Sequence, residues 1–401
     1  MLSTSAEKPL QGRADPRVSL DAAARRLQIT WPDGRVDGFH YAWLRHAGLC
    51  PGGMPNDTVN KLELLPDDPA RLAVESFDLR GGLLKLNWAD DRVVTTHALT
   101  DLQAGAYGSE RRVVRKRQPI LWDTETTADL PCFDASVLNQ PEGLLAVHLA
   151  VRDYGLARLT SVPAEPGQVA EVAGHFGPLF VSNYGGVFDV RTNSDLALGA
   201  NTASFLGPHT DENYRHAPPG ISFFHCLRAS SGGGESLLVD GFNAARRLRE
   251  GDPGSYAVLC RTPVLFRRFA PPDDDMRARG RIIVTDIDGA LEGIRFTDRT
   301  IPPQDLPADL VEPFYRGLKA FWNLVNDPQA QFRYLMRPGD LHIFDNQRVL
   351  HGRTAFDPAA GPRHLQQCAV ARDEFHNRLR LLAASLGHPA AGADMAGGAL
   401  G

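Results

Sequence analysis

GPHTD at residues 207–211 and DNQRVLHGR at residues 345–353 are the two stretches that decide the fold. In the first, His209 and Asp211 are two residues apart, and on an extended strand such residues project from the same face. One imidazole and one carboxylate can therefore aim at a single point. In the second stretch, His351 is predicted to end a strand, delivered by the segment from residue 340 to 346, and it can supply a third ligand from elsewhere in the chain.

Two histidines and one carboxylate on one side of an ion leave the other side open, which is the arrangement of non-haem Fe(II) oxygenases. An H-x-D triplet alone is weak evidence, because histidine in a half-buried strand is commonly a hydrogen-bonded core residue. Further features favour a metal site. Arg363 lies near the strand after His351 and suits a bidentate grip on a carboxylate. GGGES at residues 232–236 leads into a strand that starts with the hydroxyl of Ser236.

Five stretches resemble one family, and they occur in the family's order. The family is that of the γ-butyrobetaine and trimethyllysine hydroxylases, within the taurine-dioxygenase-like Fe(II)/2-oxoglutarate oxygenases. The resemblance extends from about Leu27 to Arg380. The stretches are PHTDENY, HAPPGISFFHC, GGGESLLVDGF, RPGDLHIFDNQRVLHGRTAF and RHLQQC.

The resemblance implies a set of roles for these residues. Fe(II) would be held by His209, Asp211 and His351, which are the predicted catalytic residues. The far carboxylate of 2-oxoglutarate would pair with Arg363, supported by Ser236, and O2 would take the remaining position on the metal. The implied reaction is hydroxylation of an unactivated C–H bond with release of succinate and CO2; desaturation or ring formation stays open.

Each assignment has a structural alternative. Arg363 can instead be a surface ion-pair residue, and Ser236 can merely cap a strand. Arg353 either binds a substrate or cosubstrate carboxylate or pairs with Asp345. His225, like His216, is interpreted as a hydrogen-bonded structural residue.

The substrate pocket is where the sequence departs from the family. The resemblance implies a cage of aromatic rings around a trimethylammonium group. The cage positions here hold Glu212, Ala369, Phe188 and Leu198, so the cage is incomplete. The carboxylate of Glu212 favours an amine with N–H donors, a guanidinium or a hydroxyl-rich substrate instead. The predicted substrate-binding residues are Glu212, Tyr214, Phe188, Leu198 and Asn346.

Residues 1–104 are predicted to form a small β-rich domain, from short alternating strands separated by turns. The resemblance implies that many relatives carry a structural zinc here. Cys50 stands alone, and Arg92 occupies the position expected for a histidine, so four zinc ligands are not available. We therefore predict no structural zinc. The resemblance implies that this domain forms a homodimer.

The remaining chain is predicted as a connector (105–140), an oxygenase domain (141–385) and a flexible tail (386–401). Many short strands with a few helices predict an α+β, mainly β fold, a double-stranded β-helix of the jelly-roll type. The strongest helix signal covers residues 309–326, with apolar side chains along one face. Cys260 to Arg267 is predicted as a strand.

The composition restricts the partners. A net charge of −5 and a pI near 6.2 argue against a nucleic-acid surface. No apolar run reaches the ~18 residues of a membrane span, and the N-terminus lacks an apolar signal-peptide core. Five scattered cysteines suit a reducing cytoplasm. The expected partners are a small-molecule substrate, 2-oxoglutarate and O2.

Three interpretations of function remain. The main one is a dioxygenase acting on a small amine-containing metabolite. The first alternative is a γ-butyrobetaine or related trimethylammonium hydroxylase. The second is a non-catalytic metal- and 2-oxoglutarate-binding module. Zinc hydrolysis at the same ligands is disfavoured, because it leaves Arg363 without a role.

Overall fold

A computed structural model describes residues 16–48, 62, 65–89, 93–126, 130–191, 203–229, 232–357, 359, 361 and 363–392. The chain divides into two compact units, and the division falls between Arg115 and Lys116. This point lies inside the predicted connector. Within the described ranges, none of the helices has the length and apolar character needed to cross a bilayer.

The first unit contains two antiparallel three-stranded sheets. Alternate residues of the second strand, Leu27 and Ile29, are buried, as the period of two predicts. They form one core with Phe39 and Trp88. Cys50 and Arg92, on which the zinc prediction depends, lie outside the described residues. The elements are β1 (Arg17–Asp21), β2 (Arg26–Thr30), β3 (Val36–His40), α1 (Tyr41–Ala47), β4 (Val74–Arg80), β5 (Leu83–Trp88), β6 (Val94–Ala98), α2 (Leu99–Gly105) and α3 (Ser109–Arg115).

The second unit contains the predicted metal motif. Its elements are β7 (Cys132–Asp134), α4 (Pro141–Tyr154), β8 (Leu156–Thr160), α5 (Gln168–Gly174), β9 (Val187–Arg191), β10 (Leu206–His209), β11 (Ile221–Arg228), β12 (Ser236–Asp240), α6 (Gly241–Gly251), α7 (Pro253–Arg261), β13 (Val264–Ala270), β14 (Asp274–Gly280), β15 (Ile283–Thr285), β16 (Leu291–Ile294), α8 (Ala308–Asn326), β17 (Gln331–Tyr334), β18 (Leu341–Asp345), β19 (Val349–Arg353), β20 (His364–Val370) and α9 (Arg372–Ser385).

Two sheets dominate this unit. The larger has the strand order β7-β8-β18-β11-β20-β9, and the smaller has the order β10-β19-β12-β17. Helices α4, α5 and α9 bury their apolar side chains against one face of the larger sheet, where Phe176 packs with Phe223 and Ile343. Side chains from both sheets, including Phe344 and Leu238, share a separate apolar cluster. The larger sheet is thus covered on both faces, which explains why β11 and β18 are buried almost continuously.

Helix α8 confirms the strongest helix prediction, because it covers residues 308–326 against the predicted 309–326. Its apolar face buries Phe314, Phe321 and Val325 in a core shared with α6 and α7. This core also includes Tyr214 and Leu350, which lie beside the two halves of the metal motif.

One strand prediction is wrong, and the segments predicted as connector and tail contain some regular structure. Cys260 does not start a strand: it lies near the end of α7, and the strand begins at Val264. Asp252 caps that helix by accepting a hydrogen bond from the backbone N–H of Ser255, a start signal that outweighs the apolar run. The segment 105–140 is not only linker, because α3 lies within it and β7 pairs with β8. The interval after residue 385 contains a short 3-10 helix, Pro389–Gly392.

The second half of the metal motif also differs from prediction. The strand that precedes it ends at Asp345, and a turn closed by the hydrogen bond from Arg348 N to Asp345 O reverses the chain. His351 therefore lies in the middle of a separate strand, β19, in the smaller sheet. Likewise Asp211 lies beyond the end of β10, in a turn, and not on the strand with His209.

Candidate active site

His209 and His351 face each other across two antiparallel strands. They form a cross-strand pair between β10 and β19, and their ring centroids are 4.4 Å apart. Nδ1 of His209 lies 2.9 Å from the carbonyl oxygen of Gly207. Because a carbonyl can only accept, Nδ1 carries the proton and Nε2 keeps its lone pair. That tautomer is the one a metal ligand needs.

Asn346 fixes the position of Asp211 through hydrogen bonds to the Asp211 backbone. The backbone N–H of Asp211 donates to Oδ1 of Asn346 at 2.8 Å, and Nδ2 of Asn346 donates to the Asp211 carbonyl at 3.2 Å. The same Nδ2 also donates to the carbonyl of Pro219 at 3.0 Å. Asn346 is 1% exposed and is absent from the cavity lining. The prediction that it binds substrate is therefore corrected: it positions Asp211.

The three side chains converge on one point. Nε2 of His209 is 3.4 Å from Oδ1 of Asp211, and Nε2 of His351 is 3.5 Å from Oδ2. One ligand atom from each of the three residues lies within 4.8 Å of the others. An ion about 2.1 Å from each ligand requires ligand separations of about 3–3.5 Å. The two separations from Asp211 to the histidines therefore match those that a divalent metal requires.

The protonation states also suit metal binding. Burial acts to raise the pKa of Asp211, but the rings of His351 and His209 outweigh it and hold the pKa well below its usual range. Burial lowers the pKa of His351 to about 3. Asp211 is thus ionised and His351 neutral at pH 7, as metal ligands must be.

A further hydrogen bond orients the carboxylate. Nε2 of Gln367, on β20, donates to Oδ2 of Asp211 at 2.9 Å. The rings of Phe224 and Phe344 each lie 5.0 Å from the ring of His351. The hydrogen bond from Gln367 restricts the rotation of the Asp211 carboxylate, and the two phenylalanine rings pack against the ring of His351.

Ser236, Arg353 and Arg363 lie near one another, with Ser236 and Arg353 on the same face of the smaller sheet as His351. Ser236 and Arg353 are cross-strand partners on β12 and β19. The guanidinium carbons of Arg353 and Arg363 lie 4.9 and 5.8 Å from the ring centroid of Phe356. Burial lowers the pKa of each arginine to about 10. Arg353 also donates to the carbonyl of Ser204 at 2.9 Å.

Arg363 is a buried cation without a described counter-ion. It is 8% exposed, and no ion pair joins it to any carboxylate in the described ranges. The glycines of the GGGES run let the backbone pass close to Arg363. A Cβ on Gly234 would lie 3.5 Å from the Arg363 side chain, and Gly234 has a φ of +82°. Because a lone buried charge is costly, the site is suited to a bound anion. The alternative of a surface ion pair is wrong.

A cavity of about 410 Å³ opens onto the metal motif. The predicted substrate residues Phe188, Glu212 and Tyr214 line it, as does Ala369. Leu198 lies outside the described residues. Other lining residues are Phe180, Tyr184, Arg267, Arg268, Phe269, Arg299 and Gln367.

One wall of the cavity is a connected polar network. Glu212 forms an ion pair with Arg215, which also donates to the side chain of Asn183. Nδ2 of Asn183 donates to Asp274 at 3.2 Å, and Asp274 pairs with Arg268 at 2.7 Å. This wall links the turn after the metal motif to the β13–β14 hairpin. The carboxylate of Glu212 is consequently already neutralised by a protein cation.

Sequence reasoning missed Tyr184, Gln367 and the arginines of the cavity. Two of these carried a usable signal. Gln367 is two residues before Ala369 on one strand and so shares its face, and Tyr184 precedes the Gly185-Gly186 turn that leads into Phe188. The cavity arginines carried no such signal, because they come from a hairpin and a loop that are distant in sequence from the metal motif.

Comparison with known proteins agrees with this geometry. Residues 116–369 match the family model described as "Taurine catabolism dioxygenase TauD, TfdA family". This chain belongs to that family. It is an oxidoreductase of the Fe(II)/2-oxoglutarate-dependent dioxygenases, and the matched range contains the three convergent ligands and Arg363.

Three relatives extend the match over nearly the whole chain. A gamma-butyrobetaine dioxygenase from Pseudomonas sp. (strain AK-1) is 35% identical over 92% of this chain and 96% of its own length. The gamma-butyrobetaine dioxygenase of Homo sapiens is 29% identical over 90% of this chain and 95% of its own. A trimethyllysine dioxygenase from Meyerozyma guilliermondii is 26% identical over 91% and 95%.

Proposed function

We propose that this dioxygenase hydroxylates an unactivated C–H bond of a small amine-containing metabolite, with release of succinate and CO2. The observation that carries the proposal is the convergence of His209, Asp211 and His351 beside a cavity that His209 and Asp211 line. Fe(II) bound there would supply the O2 chemistry. The chain's own residues would fix the metal, bind the cosubstrate and present the substrate.

Two of the three metal ligands have hydrogen-bonded supports in this proposal. His209 is oriented by the carbonyl of Gly207, and Asp211 by Asn346 and Gln367. Such outer hydrogen bonds keep ligands in place before the metal arrives, which lowers the ordering cost of binding.

The proposed 2-oxoglutarate site uses Arg363, Ser236 and Arg353. Arg363 would form a charge-assisted pair with the far carboxylate of the cosubstrate, and the hydroxyl of Ser236 would donate to the same group. The buried position of Arg363 without a described carboxylate partner supports this role. Arg353 adds positive charge beside it.

The proposed substrate is an amine with N–H groups, and Glu212, Tyr214 and Phe188 contribute to its pocket. The alternative is γ-butyrobetaine or a related trimethylammonium compound, which the names of the relatives support. Against it, Arg268 already lies 5.2 Å over the ring of Tyr184, so a protein cation uses that aromatic face. Ala369 also offers no ring.

We further propose the finer architecture. The two facing sheets would form a double-stranded β-helix, residues 1–104 a separate domain, 141–385 the oxygenase domain and 386–401 a tail. A homodimer in the cytoplasm fits the resemblance and the scattered cysteines. Desaturation or cyclisation at the same site remains an alternative outcome of the reaction, and a non-catalytic binding module remains the second alternative function.

Turnover tests this proposal. Purified enzyme with Fe(II), 2-oxoglutarate and O2 would be offered amines, amino acids and betaines, and succinate would be quantified. We expect O2-dependent succinate release that is stimulated by an amine lacking methyl groups, with an added oxygen atom in the product. Stimulation by γ-butyrobetaine alone would support the trimethylammonium alternative. No succinate with any compound would support the binding module.

A further inference from the structure

Three arginines line the cavity, and two of them are paired within the protein. Arg267 pairs with Asp275 at 2.7 Å, and Arg268 pairs with Asp274 at 2.7 Å. Arg299 differs: within the described ranges its side chain has no ion pair and no hydrogen bond, although the side chain lines the cavity. Arg299 is therefore the cavity cation that is open to a ligand.

The surroundings of Arg299 change when a metal binds. Two carboxylates exert an attractive charge on it, those of Asp211 and the neighbouring Asp298. A divalent ion held by Asp211 would neutralise the first of these. The guanidinium would then face the cavity with little opposing charge beside the reacting centre. A planar guanidinium in that setting suits a carboxylate, which it can bind through two parallel hydrogen bonds.

Gln367 offers the complementary group. An ionised carboxylate only accepts hydrogen bonds, so the atom of Gln367 that lies 2.9 Å from Asp211 must be the amide nitrogen. This assignment leaves the amide oxygen as an acceptor, and no hydrogen bond to that oxygen occurs within the described part of the chain. Gln367 lines the cavity, so its oxygen can accept an N–H from a substrate beside the metal. A trimethylammonium group has no N–H to donate.

Glu212 lines the cavity, but it is less suited than Gln367 to bind a substrate amine. Its carboxylate is held in the ion pair with Arg215 and, through Asn183, in the network that reaches the β13–β14 hairpin. Binding a substrate amine at Glu212 would have to compete with that pair. Gln367 has no such competitor among the described residues.

We infer that the substrate is a zwitterion with a primary or secondary amine, whose carboxylate is bound by Arg299 and whose N–H is bound by the amide oxygen of Gln367. The inference rests on the proposed function and narrows it from amines in general to amino acids. The specificity for such a substrate would come from one cation and one neutral acceptor that line the same cavity as Asp211.

Binding without turnover tests the inference. The enzyme would be loaded with Zn(II) and 2-oxoglutarate and titrated calorimetrically with glycine, β-alanine, γ-aminobutyrate, L-ornithine and L-lysine. Each amino acid would be compared with its carboxamide, which removes the negative charge, and with its N-trimethyl form, which removes the N–H donors. The proteins would be wild type, Arg299→Gln and Arg267→Gln; the last removes a cavity arginine that is already paired.

The expected result is binding of at least one amino acid, about tenfold or more tighter than its carboxamide and its trimethyl form, since a hydrogen bond to a charged group contributes about 1.5–3 kcal/mol. Arg299→Gln would lose the preference for the acid over the amide, and Arg267→Gln would keep it. A Gln367→Leu variant would lose the preference for the free amine.

Three results would overturn the inference: no binding of any amino acid, an unchanged acid preference in Arg299→Gln, or equal binding of the trimethyl forms by the wild type. The proposed 2-oxoglutarate site is tested separately, by the heat released when 2-oxoglutarate is added to the Zn(II)-loaded protein before the amino acids. That heat is expected in wild type and Arg299→Gln alike. Its absence in the wild type would contradict the proposed 2-oxoglutarate site and not the amino-acid inference.

Discussion

Replacing Arg363 with methionine should stabilise the ligand-free protein and weaken 2-oxoglutarate binding at the same time. Burial lowers the pKa of Arg363 to about 10, and a depression of that size corresponds to about 3 kcal/mol of cost to the charged form. A lowered pKa on a cation means that folding disfavours its charged form. Removing the charge of Arg363 therefore removes that free-energy cost. After lost packing contacts are subtracted, we expect the free energy of unfolding to rise by about 1–3 kcal/mol.

Cosubstrate binding should change in the opposite direction. At a concentration about 100-fold above its Kd, 2-oxoglutarate should stabilise the metal-loaded wild type by about 2.7 kcal/mol. Loss of a charge-assisted pair should raise the Kd on the order of 100-fold, which removes most of that stabilisation at the same concentration. Urea unfolding of the Zn(II) protein, with and without 2-oxoglutarate, measures both effects. Arg267→Met is the matched control, because Arg267 is half-buried and already paired with Asp275.

The reasoning would be refuted if Arg363→Met were less stable than wild type without ligand and still gained the full stabilisation from 2-oxoglutarate. That outcome would mean that Arg363 makes an internal ion pair and is not an anion site. Arg267→Met should be no more stable than wild type and should retain the response to 2-oxoglutarate.

Three further changes test the supports of the site. Asn346→Ala should weaken metal binding by about 10- to 100-fold, because both hydrogen bonds to the Asp211 backbone are lost; competition with a chelator measures this, and unchanged affinity would contradict the positioning role. Arg348→Met should cost about 3–5 kcal/mol in urea unfolding, since it leaves the fully buried Asp240 without its partner; adding Asp240→Asn should restore much of the loss, and no recovery would contradict the account. Gly352→Ala would place a Cβ 2.4 Å from the Leu206 carbonyl, forcing β10 away from β19; we expect about 1–3 kcal/mol of destabilisation and weaker metal binding, whereas a variant like wild type in both would contradict the packing argument.

The metal ligands could be predicted from sequence because the H-x-D pair and the distant stretch with His351 occur together with other stretches that resemble one family. The reason given for His209 and Asp211 was nevertheless incomplete. Asp211 does not share a strand with His209; it reaches the same point through a turn in which Thr210 N donates to the Phe296 carbonyl at 2.8 Å. That contact joins residues far apart in the chain, so only the folded structure reveals it.

Arg363 and Ser236 were predicted as anion-binding residues from one motif each, and both lie where that role is possible. Asn346 was assigned to the substrate because it stands beside the second half of the metal motif. Sequence position could not distinguish a side chain that faces the cavity from one that faces the backbone of Asp211. The same limit applies to Glu212, whose pairing with Arg215 follows from the turn and its φ of +53°.

Fold predictions failed where two signals competed. The apolar run from Cys260 to Arg267 fits a strand or a helix end, and the capping signal at Asp252 and Pro253 decided for α7. The hairpin formed by β13 and β14 was only half predicted, because its second strand is rich in charged residues. That hairpin supplies Arg267 and Arg268 to the cavity. The sequence therefore did not predict the polar wall of the cavity.

The most direct test of the central claim is an anaerobic titration with Fe(II) and then 2-oxoglutarate, followed by visible absorption. We expect one Fe(II) per chain and a weak visible band when both are bound. His351→Ala should abolish the band, whereas His216→Ala, which changes an exposed histidine near the same motif, should leave it intact. A band that persists in His351→Ala, or no band in the wild type, would contradict the assignment of an Fe(II)/2-oxoglutarate centre to His209, Asp211 and His351.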